Sequence, residues 1–159
     1  MAEALRETIL AYMREHNVLS LAVAGEDGPW AASLFYVNDG LTLYFLSDPL
    51  ARHGQAVARD PRVAATINED YREWKEIKGI QMEARCELVT SEAERLRAMA
   101  LYIKKYPFVA AFFSPASLLS KTIREKVGKV KLYRLQVERV WFIDNEKGFG
   151  YREELPVHA

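Results

Sequence analysis

Ser47-Asp48-Pro49 followed by Ala51-Arg52-His53 is the stretch where residue type and spacing point most directly to chemistry. Asp48 or Ser47 suits a helix N-cap and Pro49 the first helical position, since proline lacks only an N–H that has no partner there. A helix N-terminus offers unpaired N–H groups and a partial positive charge to an anion. Arg52, in the first turn, adds a planar two-pronged donor matched to phosphate. The competing reading is a solvated Arg52 and a His53 used for packing. Asp48 brings negative charge to the same turn, which opposes an anion unless capping occupies its carboxylate.

Other chemistries have less support. His16, His53 and His158 are the three histidines, and no Gly-x-Ser-x-Gly turn accompanies them, so hydrolase chemistry is not expected. No glycine-rich nucleotide loop occurs. A single cysteine, Cys86, and the lack of any Cys/His cluster argue against disulfides and against a metal site. Lys121, Arg124, Lys126, Lys129 and Lys131 read as a solvated basic face. The 22 basic and 22 acidic residues cancel, which lowers the expectation of a nucleic-acid partner. Acidic residues near Met1 and the lack of a long apolar run lead us to expect neither signal peptide nor membrane, and a cytoplasmic location. Half of the 159 residues are hydrophobic, and no linker-like stretch divides them, so one domain over 1–159 is expected.

The elements that must position these residues follow from periodicity. Leu5, Ile9, Tyr12, Met13 and His16 share a helical face over Ala2 to His16. Val18 to Ala24 and Trp30 to Val37 read as strands around a turn at Gly25 to Pro29, and Asp39-Gly40 returns the chain into a strand over Leu41 to Leu46. A helix from Pro49 to Arg59 precedes a strand over Arg62 to Asn68. Ile80, Met82, Ala84, Cys86 and Leu88 alternate with polar residues, the clearest half-buried strand in the chain. Ser91 to Glu94 forms a capping box for a helix that Pro107 ends. Phe108 to Leu119 reads as short helical pieces, and Val130 to Ile143 as the final strand. Helices set among antiparallel hairpins suit a barrel better than a doubly wound sheet.

The run from Leu34 to Glu83 carries Phe35-Tyr36, Leu43-Tyr44-Phe45-Leu46-Ser47, Ala51-Arg52-His53, Asp60 to Ile67 and Ile80 to Arg85. Val140 to Asn145 and Gly148-Phe149-Gly150 follow near the C-terminus. In order and spacing these segments resemble the FMN-binding split barrel of the pyridoxamine 5′-phosphate oxidase superfamily, and a bacterial subgroup of it. The resemblance implies a mainly β fold with flanking helices (α+β), a six-stranded antiparallel split β-barrel. It also implies FMN, its phosphate held where Leu46, Ser47, Arg52 and His53 meet; the family often has lysine where His53 stands. The flavin ring is expected against the strand edge at Ser33, Leu34 and Phe35. Gln81 either bonds the ring or faces water, and Trp141 either stacks on a flavin from a second subunit or fills the barrel.

By the same resemblance the chain is a homodimer with the cofactor at the interface, the aromatic segment Tyr106 to Phe113 supplying apolar contact. The implied function is an FMN-dependent oxidoreductase of a small-molecule substrate, or else a non-enzymatic flavin-binding or sensing protein, or a haem- or deazaflavin-binding relative. The family's Arg-x-His element near the C-terminus has no counterpart here, so efficient vitamin oxidase activity is not expected.

Overall fold

A computed structural model describes residues 1–112 and 121–158. Helix α1 (Ala2–Glu15) leads into strands β1 (Val18–Gly25), β2 (Gly28–Phe35), β3 (Val37–Asp39) and β4 (Thr42–Ser47). Helix α2 (Arg52–Arg59), β5 (Arg62–Asn68) and β6 (Lys78–Leu88) follow, then helices α3 (Glu92–Lys105), α4 (Val109–Phe112) and α5 (Lys121–Gly128). Strands β7 (Lys131–Asp144) and β8 (Arg152–Leu155) close the chain. The expected helical pieces over Phe108 to Leu119 are met by α4 as far as Phe112; the rest lies outside the described residues.

One antiparallel sheet runs β2-β1-β5-β6-β7-β4-β3, with β8 added beside β7. Strands β2 and β3 are consecutive in the chain yet stand at opposite ends of this order, joined through Tyr36. The sheet must therefore curl until its edges approach, and the open seam between them is the split of the barrel. Eight strands replace the expected six for two reasons. The run expected over Trp30 to Val37 breaks at Tyr36, whose ring is fully buried and whose hydroxyl donates to Met13 O at 2.7 Å. The tail after Gly150 also returns as β8.

Inward residues form one core. Leu19 and Leu21, Ala65 and Ile67, Ile80 and Met82, and Leu43 and Phe45 fill it, with Phe45 stacked on Tyr133 at 5.0 Å. Ile9 and Met13 of α1 close one mouth, and Ala56 and Val57 of α2 belong to the same core. Helix α3 covers the outer side of β3 and β4, packing Ala98, Tyr102 and Tyr106 onto Val37, Tyr44 and Leu132. Ser91 caps it as expected by accepting from Glu94 N–H at 3.3 Å. The Glu94 carboxylate, however, turns away to accept from Tyr44 at 2.8 Å and Arg134 at 2.7 Å, so only half the capping box forms.

The C-terminal end of α3 ties the barrel seam to α1. Tyr102 donates to Phe35 O at 2.9 Å, Tyr106 to Tyr36 O, and Lys105 Nζ to Met13 O at 3.2 Å and to His16 O. The Lys105 ammonium also sits 4.2 Å from the centre of the Tyr36 ring. Burial draws its pKa down from 10.5 to about 8, and pushes Tyr36, Tyr102 and Tyr106 above the ordinary phenol value.

The signs of these shifts differ. Unfolded Lys105 keeps its proton to pH 10.5 while the folded side chain sheds it from about 8, so its contribution is complete above the upper value and lost as pH falls through the lower. The tyrosines act oppositely: their contribution is present below pH 10 and lost above it. Thermal melts from pH 7 to 11 should show wild type gaining stability relative to Lys105→Met between pH 8 and 10, both falling beyond. A difference between the two proteins that does not vary with pH would refute the assignment.

Candidate functional site

Strand β7 carries a β-bulge opposite Glu83 and Ala84: Glu83 pairs with Arg139 but Ala84 with Val137, leaving Glu138 as the extra residue. A bulge shifts the alternation of side chains by one. Val137 before it and Val140 after it therefore both point into the core, and Trp141 is carried to the outer face. It enters a register row running Ser33, Ser20, Thr66, Gln81, Trp141 and Glu154 across six strands. Three expected site residues, Ser33, Gln81 and Trp141, thus share one row. Of the two readings of Trp141, the buried barrel aromatic is excluded: its inward place is taken by Val140 and Phe142.

The row is electrostatically structured at its β8 end. Arg139 and Arg152 place their guanidinium carbons 4.6 and 5.8 Å from the centre of the Trp141 ring. Arg139 is held by Glu154 at 2.9 Å. Arg152 donates to Gln81 Oε1 at 3.2 Å, which leaves the Gln81 amide N–H groups to face an incoming acceptor. Arg152 was missed in the sequence because its contribution depends on β8. The signal was a hairpin: Gly148-Phe149-Gly150 between two strand-like runs, with Gly150 at φ +70°.

At the other end of the row β2 is an edge strand, so part of its backbone N–H and C=O groups point away from β1. Ser33 and Phe35 face outward and are exposed, while Leu34 turns inward against the core. Phe35 lies 5.4 Å from the Tyr106 ring and 6.1 Å from Phe108, and Phe108 is 6.1 Å from Phe112. These rings make an aromatic rim beside the row. Phe113, the end of the expected contact segment, lies outside the described residues.

The residues around α2 separate into two groups. Helix α2 starts at Arg52 and not at Pro49, because Asp48 to Ala51 form a turn: Asp48 Oδ1 accepts from Leu50 N–H at 2.9 Å and Asp48 O from Ala51 N–H at 3.0 Å. That turn folds so closely over the helix that a Cβ on Gly54 would lie 2.7 Å from Pro49 O. Ser47 and His53 are buried and bonded to each other, Oγ to Nε2 at 2.6 Å. Burial lowers the His53 pKa, so the imidazole is neutral at pH 7. This pair faces inward beside Phe45 and is not aimed at an outside anion. Leu46 packs beneath α3. Arg52 alone remains outward, stacked 4.1 Å from the centre of the Trp30 ring, on a helix start with no side-chain cap. Asp48 accepts from Leu50 N–H in the turn before Arg52.

A cleft of about 380 Å³ opens from Gln81 and Thr66 along the same face. Its floor includes Gly79 and Ile143, paired across β6 and β7, and its wall is the loop after β5. Among the described residues no three His, Cys, Asp or Glu side chains converge as a metal site, and no helix is long and apolar enough to cross a membrane.

The family model for pyridoxamine 5′-phosphate oxidase matches residues 5–144. A UPF0306 protein of Photorhabdus laumondii is 29% identical over 147 residues, 91% of this chain and 90% of that protein. A heme binding protein from Mycobacterium smegmatis superposes with TM-score 0.71 at 21% identity; the alignment covers 97% of this chain, which spans 57% of that longer one. A FAD-binding protein from Mesorhizobium loti superposes with TM-score 0.62 at 17% identity, covering 93% and 92%. These structural likenesses show the split-barrel fold.

The inward Ser47–His53 pair gives a direct test. His53→Lys places an ammonium where a buried neutral ring accepts or donates one short bond, so it should cost roughly 1–3 kcal/mol of stability and should not tighten binding of any phosphate ligand. Urea unfolding and FMN titration of the variant check both parts. Unchanged stability together with tighter FMN binding would show that His53 faces the phosphate after all.

Proposed function

The chain belongs to the pyridoxamine 5′-phosphate oxidase family, and on that premise we propose that it binds FMN on the outer face of the barrel and acts as a flavin-dependent oxidoreductase on a small molecule. The observation that carries this reading is the row from Ser33 to Trp141 with Arg152 locked onto Gln81. A planar ring with carbonyl and nitrogen acceptors suits the β2 end of this row, with the hydroxyls of Ser33 and Ser20 and the free edge of β2; Gln81 and Trp141, three and four strand spacings of about 4.8 Å away, would meet the ring of a second subunit. Trp141 offers a flat apolar surface backed by two guanidinium groups, and Arg52 offers a fork for phosphate.

The donor set fits FMN in part. Arg52 and the uncapped start of α2 suit the phosphate; Ser47 and His53 do not. When bound, the flavin supplies the electron and hydride transfer, and the protein's side chains orient it and exclude water. No side chain on the outer row is set up as a nucleophile, and none is required for this chemistry. Haem is the weaker alternative. His16 stacks on Tyr12 with Nδ1 at 2.8 Å from Tyr12 O, and His53 is turned inward, so neither faces the row as an axial ligand. The absorption spectrum of purified protein separates the readings: flavin bands support ours and a Soret band overturns it.

A second copy of the chain covers the outer face in this proposal. Ala22, Ala31 and Ala64 form a neighbouring row of small exposed residues on one side of the Ser33 row, and the aromatic rim of Phe35, Phe108 and Phe112 lies on its other side, apolar material suited to a subunit contact. Light scattering at micromolar concentration should return the dimer mass, and monomer with bound flavin would refute it. Arg52→Ala should weaken FMN about ten- to a hundredfold, from the loss of one charged hydrogen bond, and leave riboflavin binding nearly unchanged. Equal losses for the two flavins, with circular dichroism intact, would move the phosphate site elsewhere.

A further inference from the structure

We propose that the cleft between the loop after β5 and the outer face of β6 is a second ligand site, selective for a small planar heteroaromatic cation over the matching anion. The cleft shares Thr66 and Gln81 with the row at one end, and the inference rests on its other end, from Asn68 to Tyr71 with Gly79 and Ile143, whichever cofactor the row holds.

The cleft is built before any ligand arrives. Asn145, buried, donates from Nδ2 to Trp74 O at 2.8 Å and from its backbone to Ile77 O at 3.0 Å, and accepts from Gly150 N–H at 3.0 Å. It bolts the loop that supplies Ile77 to the turn after β7. Tyr12 donates to Lys78 O at 3.0 Å and lies 3.3 Å from the Tyr71 hydroxyl, fixing Tyr71 at the opposite wall. Such a loop needs no bolts for core packing, since Trp74 and Ile77 remain exposed. Fixing both walls removes ordering cost from binding.

Shape and charge set the ligand class. Gly79 leaves the floor flat beside Ile143, and its absent Cβ would lie 3.0 Å from Ile67 O. About 380 Å³ admits one ring system. The hydrogen-bonding walls are Thr66, Asn68 and Gln81. At the rim stand the carboxylates of Glu69 and Asp70. Lys78, the cation lining the cleft, is neutralised by Glu146 at 3.2 Å, and Asp70 has no ion-pair partner among the described residues. Tyr71 stays a neutral phenol, its pKa raised first by burial and then by its bonds to Tyr12 and Glu69. Glu69 lies 3.4 Å from His16 Nε2 and Arg152 reaches the cleft only at its Gln81 end, so the unpaired charge on the loop side is the Asp70 carboxylate, which repels an anion there and retains a cation.

Two probes of equal shape and opposite charge, 1-methylnicotinamide and nicotinate, test this on the whole protein by amide chemical-shift titration. We expect the cation to shift Asn68, Gly79 and Gln81 and to bind at least about tenfold tighter than the anion. Asp70→Asn should narrow that ratio several-fold and Ile143→Trp should abolish both sets of shifts. Equal affinities, a preference for nicotinate, shifts confined to other residues, or a ratio unmoved by Asp70→Asn would each overturn the proposal. If Ile143→Trp fails to fold, the Asp70→Asn ratio still decides. The probes read the cleft without flavin, so a failure here is distinguishable from a failure of FMN binding at Arg52.

Discussion

The extra residue at Glu138 is the constraint on which the outer face depends. A strand as long as β7 must serve β4 and β6 with its N-terminal half, and β6 and β8 with its C-terminal half. Uninterrupted alternation would set Arg139 and Trp141 inward, in the phase of Leu135 and Val137. A buried unpaired guanidinium at Arg139 is among the most costly substitutions a core can suffer. The bulge resolves both problems at once: it keeps valines inside on each side of it and delivers Arg139 and Trp141 together to the surface. Arg152 can meet Gln81 only because the same shift brings β8 alongside in the right phase.

The two halves of the outer sheet are then treated differently. Over β3 and β4 helix α3 buries Tyr44 and Val37, and its tyrosines donate to Phe35 O and Tyr36 O at the β2–β3 joint, where the ladder is interrupted. Buried carbonyls of that kind need a donor. Over the outer face of β1, β2, β5 and β6 no helix of the described residues lies, and small residues such as Ala22, Ala31 and Ala64 keep that surface level. The division gives the molecule a covered side and an open side, and the row from Ser33 to Trp141 runs along the open one.

Legibility in the sequence followed the range of the forces involved. The β6 alternation, the α1 stripe and the Ser91 cap depend on neighbours within a few residues and were readable. So was the place of Gln81, which alternation puts on the polar face of β6, whereas Ser33 was named only by the resemblance. Trp141 was ambiguous because its face is set by a register shift against β6, more than fifty residues away in sequence. His53 read as phosphate-facing because the resemblance carried it over beside Arg52; its burial against Ser47 depends on the packing of α2 on the barrel, which no local pattern shows. Arg152 was invisible for want of β8. In each case the deciding contact joins residues that no local pattern connects.

The helices from Glu92 to Gly128 are inserted between β6 and β7, the pair with the longest ladder in the sheet. That ladder therefore forms only after a long loop is closed, at an entropic cost that grows slowly with loop length but must be met before the pairing is realised. Until then β6 presents an apolar, alternating edge to any other chain, a state prone to intermolecular pairing. The tyrosine and lysine contacts of α3 shorten the effective loop by anchoring it to the β2–β3 joint, next to the strand that β7 will meet. On this view the helical excursion governs the rate at which the barrel is completed and the yield of soluble chain, and substitutions at Tyr102 or Tyr106 act on biogenesis as much as on the finished fold.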